Sequence, residues 1–353
     1  VSISTRSDKV KQAFAIMADV VQNPVFAQAE LDRARQETLD NIKVQLTQPR
    51  AVGGLAMNRA IFGAGPYGGT PTVKSISSLK QPELAAFHAE KWRPDAAVLV
   101  IAGDVTPDAG FALAEEAFGK WAKPTTPLAA APAAGAPAAP RAVTLDMPKI
   151  GQAAVFLGRT GPSRLSDDYY ATAVANNVLG GGYSARLNAE IRIKRGLSYG
   201  ANSSLSARKQ PGPIIAAAQT RNEAVPQVVD LMLSEFTRLG SEPIPDKELT
   251  ARKAVIIGGF GRTVETTSGV AGQYSALAQF GLPLEKLQSY SNDINAVTAE
   301  QAQAAAKAYF DPSKATIVVV GDAEKFWADV KGKRDGMERL PVSKLNLDSP
   351  TLK

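Results

Sequence analysis

The sequence predicts an α+β fold of two similar domains, each with an antiparallel-rich β-sheet packed against helices. One observation is that hairpin-like strand pairs and long helices occur in blocks, not in a regular βαβ series. The other is an internal repeat, because residues 92–104 align without a gap with residues 310–322. Both segments predict a helix end, a proline turn, a buried strand and a Gly-Asp turn. The sequence therefore predicts two copies of one unit.

The composition excludes several classes of protein. The chain has 353 residues, of which 44% are hydrophobic and 21% charged, as is typical of a globular protein of two domains. No run approaches the ~20 apolar residues of a membrane span. The net charge of +6 is spread along the sequence, which indicates weak attraction for acidic partners and no nucleic-acid partner. With no cysteine and one histidine, the chain cannot supply a thiolate site or two histidine ligands for zinc.

A linker of proline and alanine divides the sequence. Residues 124–140 contain five Pro, eight Ala, one Gly and no charge, a composition that keeps a chain extended. We therefore assign residues 1–123 to the C-terminal part of the first domain and residues 141–353 to the second. The second copy begins with strands and a helix whose counterparts would lie upstream of Val1. The repeat thus predicts that about 70–80 residues of the first domain precede this sequence.

Hydrophobic periodicity predicts the individual elements. Helices are predicted at residues 9–22, 28–46, 82–91 and 168–179. Strands are predicted at residues 1–5, 96–102, 142–145, 153–157, 203–207 and 214–219, the last two as a hairpin.

A glycine-rich motif follows the helix predicted at 168–179 and contains Gly180, Gly181, Gly182 and Ser184. A phosphate loop would follow a strand and end in Gly-Lys-Ser/Thr, and neither condition is met. The pattern favours a glycine helix stop. Three successive glycines also expose backbone N–H groups that could hold an extended peptide. These four residues are therefore candidates for substrate binding.

The single histidine, His88, lies on the helix predicted at 82–91, just before Trp92. Any Ser-His-Asp triad or histidine base would have to use it. Its counterpart in the repeat is Ala306, in a helix of similar surroundings. The pattern therefore favours an ordinary helix histidine.

Residues 187–199 contain a dense polar cluster. One interpretation is a basic helix that ends at Gly196, with cations favourable at its C-terminal end. The other is a binding site, because Arg192 and Tyr199 offer a cation and a hydroxyl donor. Such a pair can bind a peptide carbonyl and the oxyanion that forms from it. The residues alone leave both interpretations open.

Together these motifs resemble the pitrilysin/insulinase zinc peptidases, the M16 family. The resemblance is carried by residues 180–187, Arg192 with Tyr199 seven residues later, Asn23-Pro24-x-Phe26, Glu30–Arg35, Gly65–Gly68 and the turn from Arg93-Pro94 to Gly103-Asp104. It covers nearly all of the chain, including the two-copy architecture. It implies two α+β domains of the LuxS/metallohydrolase-like fold that face each other across a chamber. It also implies that Arg192 and Tyr199 contact the substrate or its transition state.

The resemblance further implies where zinc would bind. In the family, a His-x-x-Glu-His helix of the first domain supplies two ligands and the general base, and that helix would lie upstream of Val1. A glutamate on a later helix, six residues after an arginine, completes the site. Counting from Arg35 gives Asn41, which is neutral and a poor zinc ligand. Asp40 lies about 100° around the helix and does not substitute. We therefore expect no metal ligand or cofactor in this chain, and zinc in a partner subunit.

Three functions are compatible with these residues and the resemblance. We favour the non-catalytic subunit of a heterodimeric zinc metallopeptidase, which closes a peptide-degrading chamber and presents Arg192 and Tyr199 to a zinc-bearing M16 partner. A self-sufficient peptidase whose His-x-x-Glu-His helix lies upstream is the first alternative. A structural or peptide-binding scaffold without catalysis is the second. The alanine-rich linker and the absence of cysteine are typical of an exported bacterial protein, so we expect the periplasm, or otherwise the cytoplasm.

Overall fold

The computed structural model describes residues 1–353, which group into two compact units. Unit 1 consists of Val1–Asp40, Val73–Ala131 and Gly259–Ser289, and unit 2 of Asn41–Thr72, Pro132–Gly258 and Tyr290–Lys353. Each unit combines three separate stretches of chain, so the units are not the two ranges that the linker divides. The domain boundaries at residues 123 and 141 concern the repeat and stay a prediction.

Helices form most of the regular structure. In chain order they are α1 (Val10–Gln22), α2 (Gln28–Gln45), α3 (Pro49–Phe62), α4 (Val73–Ser78), α5 (Gln81–Lys91), α6 (Pro107–Phe118), α7 (Tyr169–Gly180), α8 (Arg186–Asn188), α9 (Val225–Ser241), α10 (Asp246–Val264), α11 (Thr267–Phe280), α12 (Lys286–Ala296), α13 (Ala299–Tyr309) and α14 (Trp327–Val330). The four predicted helices are confirmed as α1, α2, α5 and α7. None of the helices is both long enough and apolar enough to cross a membrane.

A six-stranded mixed sheet lies in unit 2. Its strands are β1 (Ala142–Asp146), β2 (Gln152–Thr160), β3 (Ser198–Leu205), β4 (Pro213–Arg221), β5 (Thr316–Gly321) and β6 (Glu338–Pro341). Their order is β3-β4-β2-β5-β1-β6. Strands β3, β4, β2 and β5 pair antiparallel, whereas β1 pairs parallel with β5 and β6. The α+β class and the predicted β3–β4 hairpin are therefore confirmed.

Both faces of the sheet are covered by helices. Along β5, Ile317 and Val319 belong to one apolar cluster and Val318 and Val320 to the other, as the two-residue period of a strand requires. The first cluster contains buried side chains of α7, α9 and α13, and the second contains those of α3. This arrangement fixes the end of α7 against β3 at one edge of the sheet.

Two predicted strands are wrong. Residues 1–5 and 96–102 form no strand, and in the second segment Val98 is 63% exposed and Leu99 40%. All six strands belong to unit 2, so these segments of unit 1 have no neighbouring strand there to accept their backbone hydrogen bonds. An apolar run alone does not make a strand, because a strand is stable only in a sheet.

The helix that one interpretation ends at Gly196 is short and irregular. Helix α8 covers only three residues and continues into a π turn at Ala189–Ile193. The backbone N–H of Lys194 donates to the carbonyl of Ala189, five residues earlier, at 2.9 Å. Gly196 then adopts a positive φ of 62°, a conformation that glycine tolerates best. The chain enters β3 two residues later.

The linker at residues 124–140 has no regular structure and is mostly exposed, as its composition predicts. Its later part is nevertheless attached to unit 2. The backbone N–H of Ala138 donates to the carbonyl of Ile61 at 3.0 Å, and the N–H of Ala134 donates to the Gln210 side chain. These bonds hold an uncharged segment of small side chains on the surface of the unit.

Candidate functional site

An open cleft of about 760 Å³ lies beside the edge strand β3. Its walls come from the first turn of α3, the end of α7, the turn after it, the π turn, and strands β3 and β4. The lining residues are Arg50, Gly180–Tyr183, Asn188, Arg192, Tyr199–Ser203 and Gln219. The cleft thus brings together Arg192, Tyr199 and the three glycines that the sequence singled out.

The three glycines have different roles in this wall. A Cβ on Gly180 would lie 2.2 Å from the backbone nitrogen of Ser203, so only glycine lets α7 end directly against β3. A Cβ on Gly181 would lie 2.3 Å from the Asn177 side chain. Gly182 has no atom closer than 3.8 Å at that position. The first two glycines are therefore needed for packing, and the predicted helix stop is confirmed.

Ser184, the fourth candidate of the glycine motif, does not line the cleft. Its hydroxyl oxygen accepts a hydrogen bond of 2.9 Å from the guanidinium of Arg252. Arg252 is only 6% exposed and lies on α10. The hydrogen bond therefore attaches the turn after α7 to α10, which is a structural role.

Arg192 lies in the π turn, and its guanidinium carbon is 5.0 Å from the centre of the Tyr183 ring. This distance is that of a cation–π contact. The nearby carboxylate, Glu190, is instead bound by both Lys194 and Arg195. The hydrogen bond from Lys194 is the main cause that keeps the pKa of Glu190 below its ordinary value. Arg192 is consequently left with an uncompensated charge at the cleft wall.

Tyr199 lies at the start of β3 and is 89% exposed. A register shift between Ser198 and Ala201 interrupts the pairing with β4 at this point. The irregularity is stabilised by the Ser198 hydroxyl, which bonds both the N–H and the carbonyl of Gly200. The phenol hydroxyl of Tyr199 makes no hydrogen bond within the protein. Arg192 and Tyr199 therefore each offer a donor to a ligand in the cleft.

The residues do not fit a zinc site. Asn41 is exposed on α2, and the next residue, Ile42, is buried. No group of three or more His, Asp or Glu side chains is placed to hold a metal ion. The Nε2 of His88 lies 2.8 Å from the carbonyl oxygen of Val21, and its ring stacks on Trp92. These contacts agree with an ordinary helix histidine.

Further polar side chains complete the cleft, and Asn188 is the one among them that lies in the polar cluster at 187–199. Arg50 donates a hydrogen bond of 3.3 Å to the Asn202 side chain. Asn188 accepts one of 3.2 Å from the N–H of Ala201, and Gln219 on β4 bonds Gln152. Amide side chains and an arginine in the first turn of a helix belong to no recognisable sequence motif. No local signal could therefore have associated Arg50 with β3.

Comparison with known proteins agrees with this architecture. A family model described as "Peptidase M16 inactive domain" matches residues 78–256. An uncharacterized zinc protease of Mycobacterium leprae is 28% identical over 250 residues, which are 70% of this chain and 56% of that protein. One of Mycobacterium tuberculosis is 28% identical over 302 residues, which are 84% of this chain and 68% of that protein. The chain thus spans only part of the length of these relatives.

Among solved structures, a peptidase M16 inactive domain from Pseudomonas fluorescens superposes with a TM-score of 0.80 at 29% identity. The match covers 89% of this chain and 75% of that one. The mixed sheet packed by helices is therefore shared with that domain.

Proposed function

This chain belongs to the M16 peptidase family, whose inactive domain it matches, and from that premise we propose that it is the non-catalytic subunit of a heterodimeric zinc metallopeptidase. The observation that carries the proposal is that Arg192 and Tyr199 line one cleft with donors that no protein acceptor uses. Asn41 supports it, because a neutral amide stands where the family resemblance expects a metal ligand.

The proposed task of the cleft is to bind a peptide and stabilise charge on it. When water attacks a peptide bond, negative charge develops on the carbonyl oxygen. A guanidinium and a phenol O–H that are already oriented toward this oxygen stabilise the developing charge better than they stabilise the neutral carbonyl. Zinc and the general base belong to the partner in this proposal, and the two subunits would enclose a chamber for unfolded peptides.

The test is activity of the chain co-expressed with a zinc-bearing M16 relative. Tyr199→Phe and Arg192→Ala are each expected to lower kcat by about 10²-fold, the loss typical of one oxyanion donor. Gel filtration should show that the complex still assembles. Tyr274→Phe and Arg33→Ala, which change the same residue types in unit 1, serve as controls and should keep full activity. Full activity of both cleft variants would show that the assigned roles are wrong.

Metal analysis separates the alternatives. The purified chain without a partner is expected to contain no zinc, and the complex about one zinc per pair. One zinc in the isolated, active protein would establish a self-sufficient peptidase instead. A chain that purifies in a complex without any zinc-bearing relative would favour a scaffold.

The compartment we propose is the periplasm. A chain without cysteine has no thiol to be oxidised there. Cell fractionation of the native host tests this directly, and recovery of the protein with cytoplasmic markers would contradict it.

A further inference from the structure

We propose that the cleft selects peptides that carry a carboxylate, and that Arg50 is the residue that recognises it. This inference rests on the proposed function, since it requires that a peptide occupy the cleft. The proposal assigns a substrate class to the site and a role to a residue that lies outside the Arg192–Tyr199 pair.

The charge of the cleft favours an acidic ligand. Its lining contains two guanidinium groups, those of Arg50 and Arg192, and no carboxylate. Glu190, the nearest acid in sequence to Arg192, already binds Lys194 and Arg195. An anion that enters the cleft therefore meets two cations whose charges are not neutralised by the protein.

Arg50 is placed to act on a ligand. It is the second residue of α3 and is exposed. Its Nη2 donates to the Asn202 amide oxygen at 3.3 Å, which aims the side chain at β3. Because an amide is neutral, this bond orients the guanidinium without compensating its charge. The remaining N–H donors of the guanidinium are available for a carboxylate, whose two oxygens match the guanidinium geometry.

The edge of β3 explains why side chains must supply the specificity. An extended peptide can bind a free sheet edge through main-chain hydrogen bonds. Here the outward N–H of Ala201 donates to Asn188, and Ser203 is covered by the end of α7 and bonded through its hydroxyl to Asn176. A peptide therefore cannot pair with β3 at Ala201 or Ser203. Its affinity has to come from polar side chains of the cleft.

The spacing along β3 sets where the carboxylate lies. Asn202, which holds Arg50, is three residues after Tyr199, so the two residues lie at most about 10 Å apart along the chain. An extended peptide whose reacting carbonyl meets Tyr199 thus places a group about three residues away beside Arg50. That group is either an acidic side chain or the terminal carboxylate of a short peptide.

The experiment uses fluorescein-labelled decapeptides and anisotropy with the full chain. One series carries Glu or Gln at the third position from the C-terminus, and each is made as the free acid and the amide. We expect the Glu peptide or the free acid to bind about three- to tenfold more tightly than its neutral counterpart. The two arms distinguish the side chain from the terminus as the source of the carboxylate.

Variants identify Arg50 as the cause. Arg50→Gln should abolish the preference, and Arg50→Lys should keep part of it. Lys344→Gln removes the same charge from an exposed residue that follows β6, at the opposite edge of the sheet, and should behave as the wild type. Circular dichroism confirms that each variant is folded.

The outcomes separate the two proposals. Equal binding of acidic and neutral peptides, or a preference that Arg50→Gln leaves intact, would overturn the role of Arg50 while peptide binding stands. If no peptide binds, both the carboxylate selection and the peptide-binding function of the cleft are wrong.

Discussion

The contact between Gly180 and β3 allows a stability prediction to be worked from distances. In Gly180→Ala the new Cβ would lie 2.2 Å from the Ser203 nitrogen, 2.6 Å from its hydroxyl and 2.7 Å from the Asn202 carbonyl carbon. Ordinary van der Waals contact begins at 3.4 Å. The end of α7 and strand β3 would therefore have to separate by roughly 1 Å, and backbone cannot yield as a flexible side chain can.

The expected loss has three contributions. Overpacking of this kind costs about 1–3 kcal/mol. The shift also weakens the bond between the Ser203 hydroxyl and the Asn176 carbonyl, now 3.0 Å long, which is worth about 1 kcal/mol. Alanine also lowers the conformational entropy of the unfolded chain, which offsets about 0.4–1 kcal/mol of the loss. Gly180→Ala should thus lower the free energy of unfolding by about 2 kcal/mol.

The matched control is Gly182→Ala. Its Cβ would meet only the Arg252 guanidinium, at 3.8 Å, so stability should change by less than about 0.5 kcal/mol or rise slightly. Urea titrations followed by circular dichroism measure both variants. Equal midpoints for the two would refute the claim that Gly180 is required by the close approach of α7 to β3.

Two further predictions concern stability away from the cleft. Burial raises the pKa of Tyr290 and of Tyr309 to about 12, and a hydrogen bond with Asp168 adds to the effect at Tyr309. The phenols of the unfolded chain ionise near pH 10, so the free energy of unfolding should fall between about pH 10 and pH 12. Urea titrations over this range should show that the midpoint of Tyr309→Phe falls less steeply with pH than that of the wild type. Glu248 binds the 10%-exposed Arg186 through three hydrogen-bonded contacts, and Glu248→Gln should cost about 2–3 kcal/mol because the cation stays buried. Arg186→Met combined with Glu248→Leu should recover part of that loss in urea titrations, and no recovery would contradict the charge argument.

Local sequence patterns predicted the elements that are stabilised by residues close to them in sequence. Helix α1 follows from the spacing of apolar residues such as Phe14 and Val21, both buried. The β3–β4 hairpin follows from alternating residues around a Pro-Gly turn. Residues 96–102 show the limit of this reasoning, since their apolar run matches β5 in the repeat. β5 lies between two strands of the sheet, whereas 96–102 has no strand beside it in unit 1.

The same distinction applies to the cleft. Arg192 and Tyr199 are seven residues apart, and one turn and one strand start place them in the same wall. Arg50 belongs to that wall because α3 covers one face of the sheet. The position of α3 depends on contacts between distant parts of the chain, such as that of Met57 with β2, and no local sequence pattern shows them. A sequence predicts a site best where the chain between its residues is short.

The π turn explains why Arg192, among several cations of its segment, has no carboxylate partner. In an α-helix Glu190 would face Lys194, four residues on, but Arg195 would lie farther around the helix. A π turn brings residues five apart together, and here Arg195 reaches both the carboxylate and the carbonyl of Glu190. Two cations therefore share one acid, and Arg192 rests on an aromatic ring with its charge unpaired. The composition of the segment suggested a basic helix, but the backbone hydrogen bonds decide which of its charges stays without a carboxylate partner.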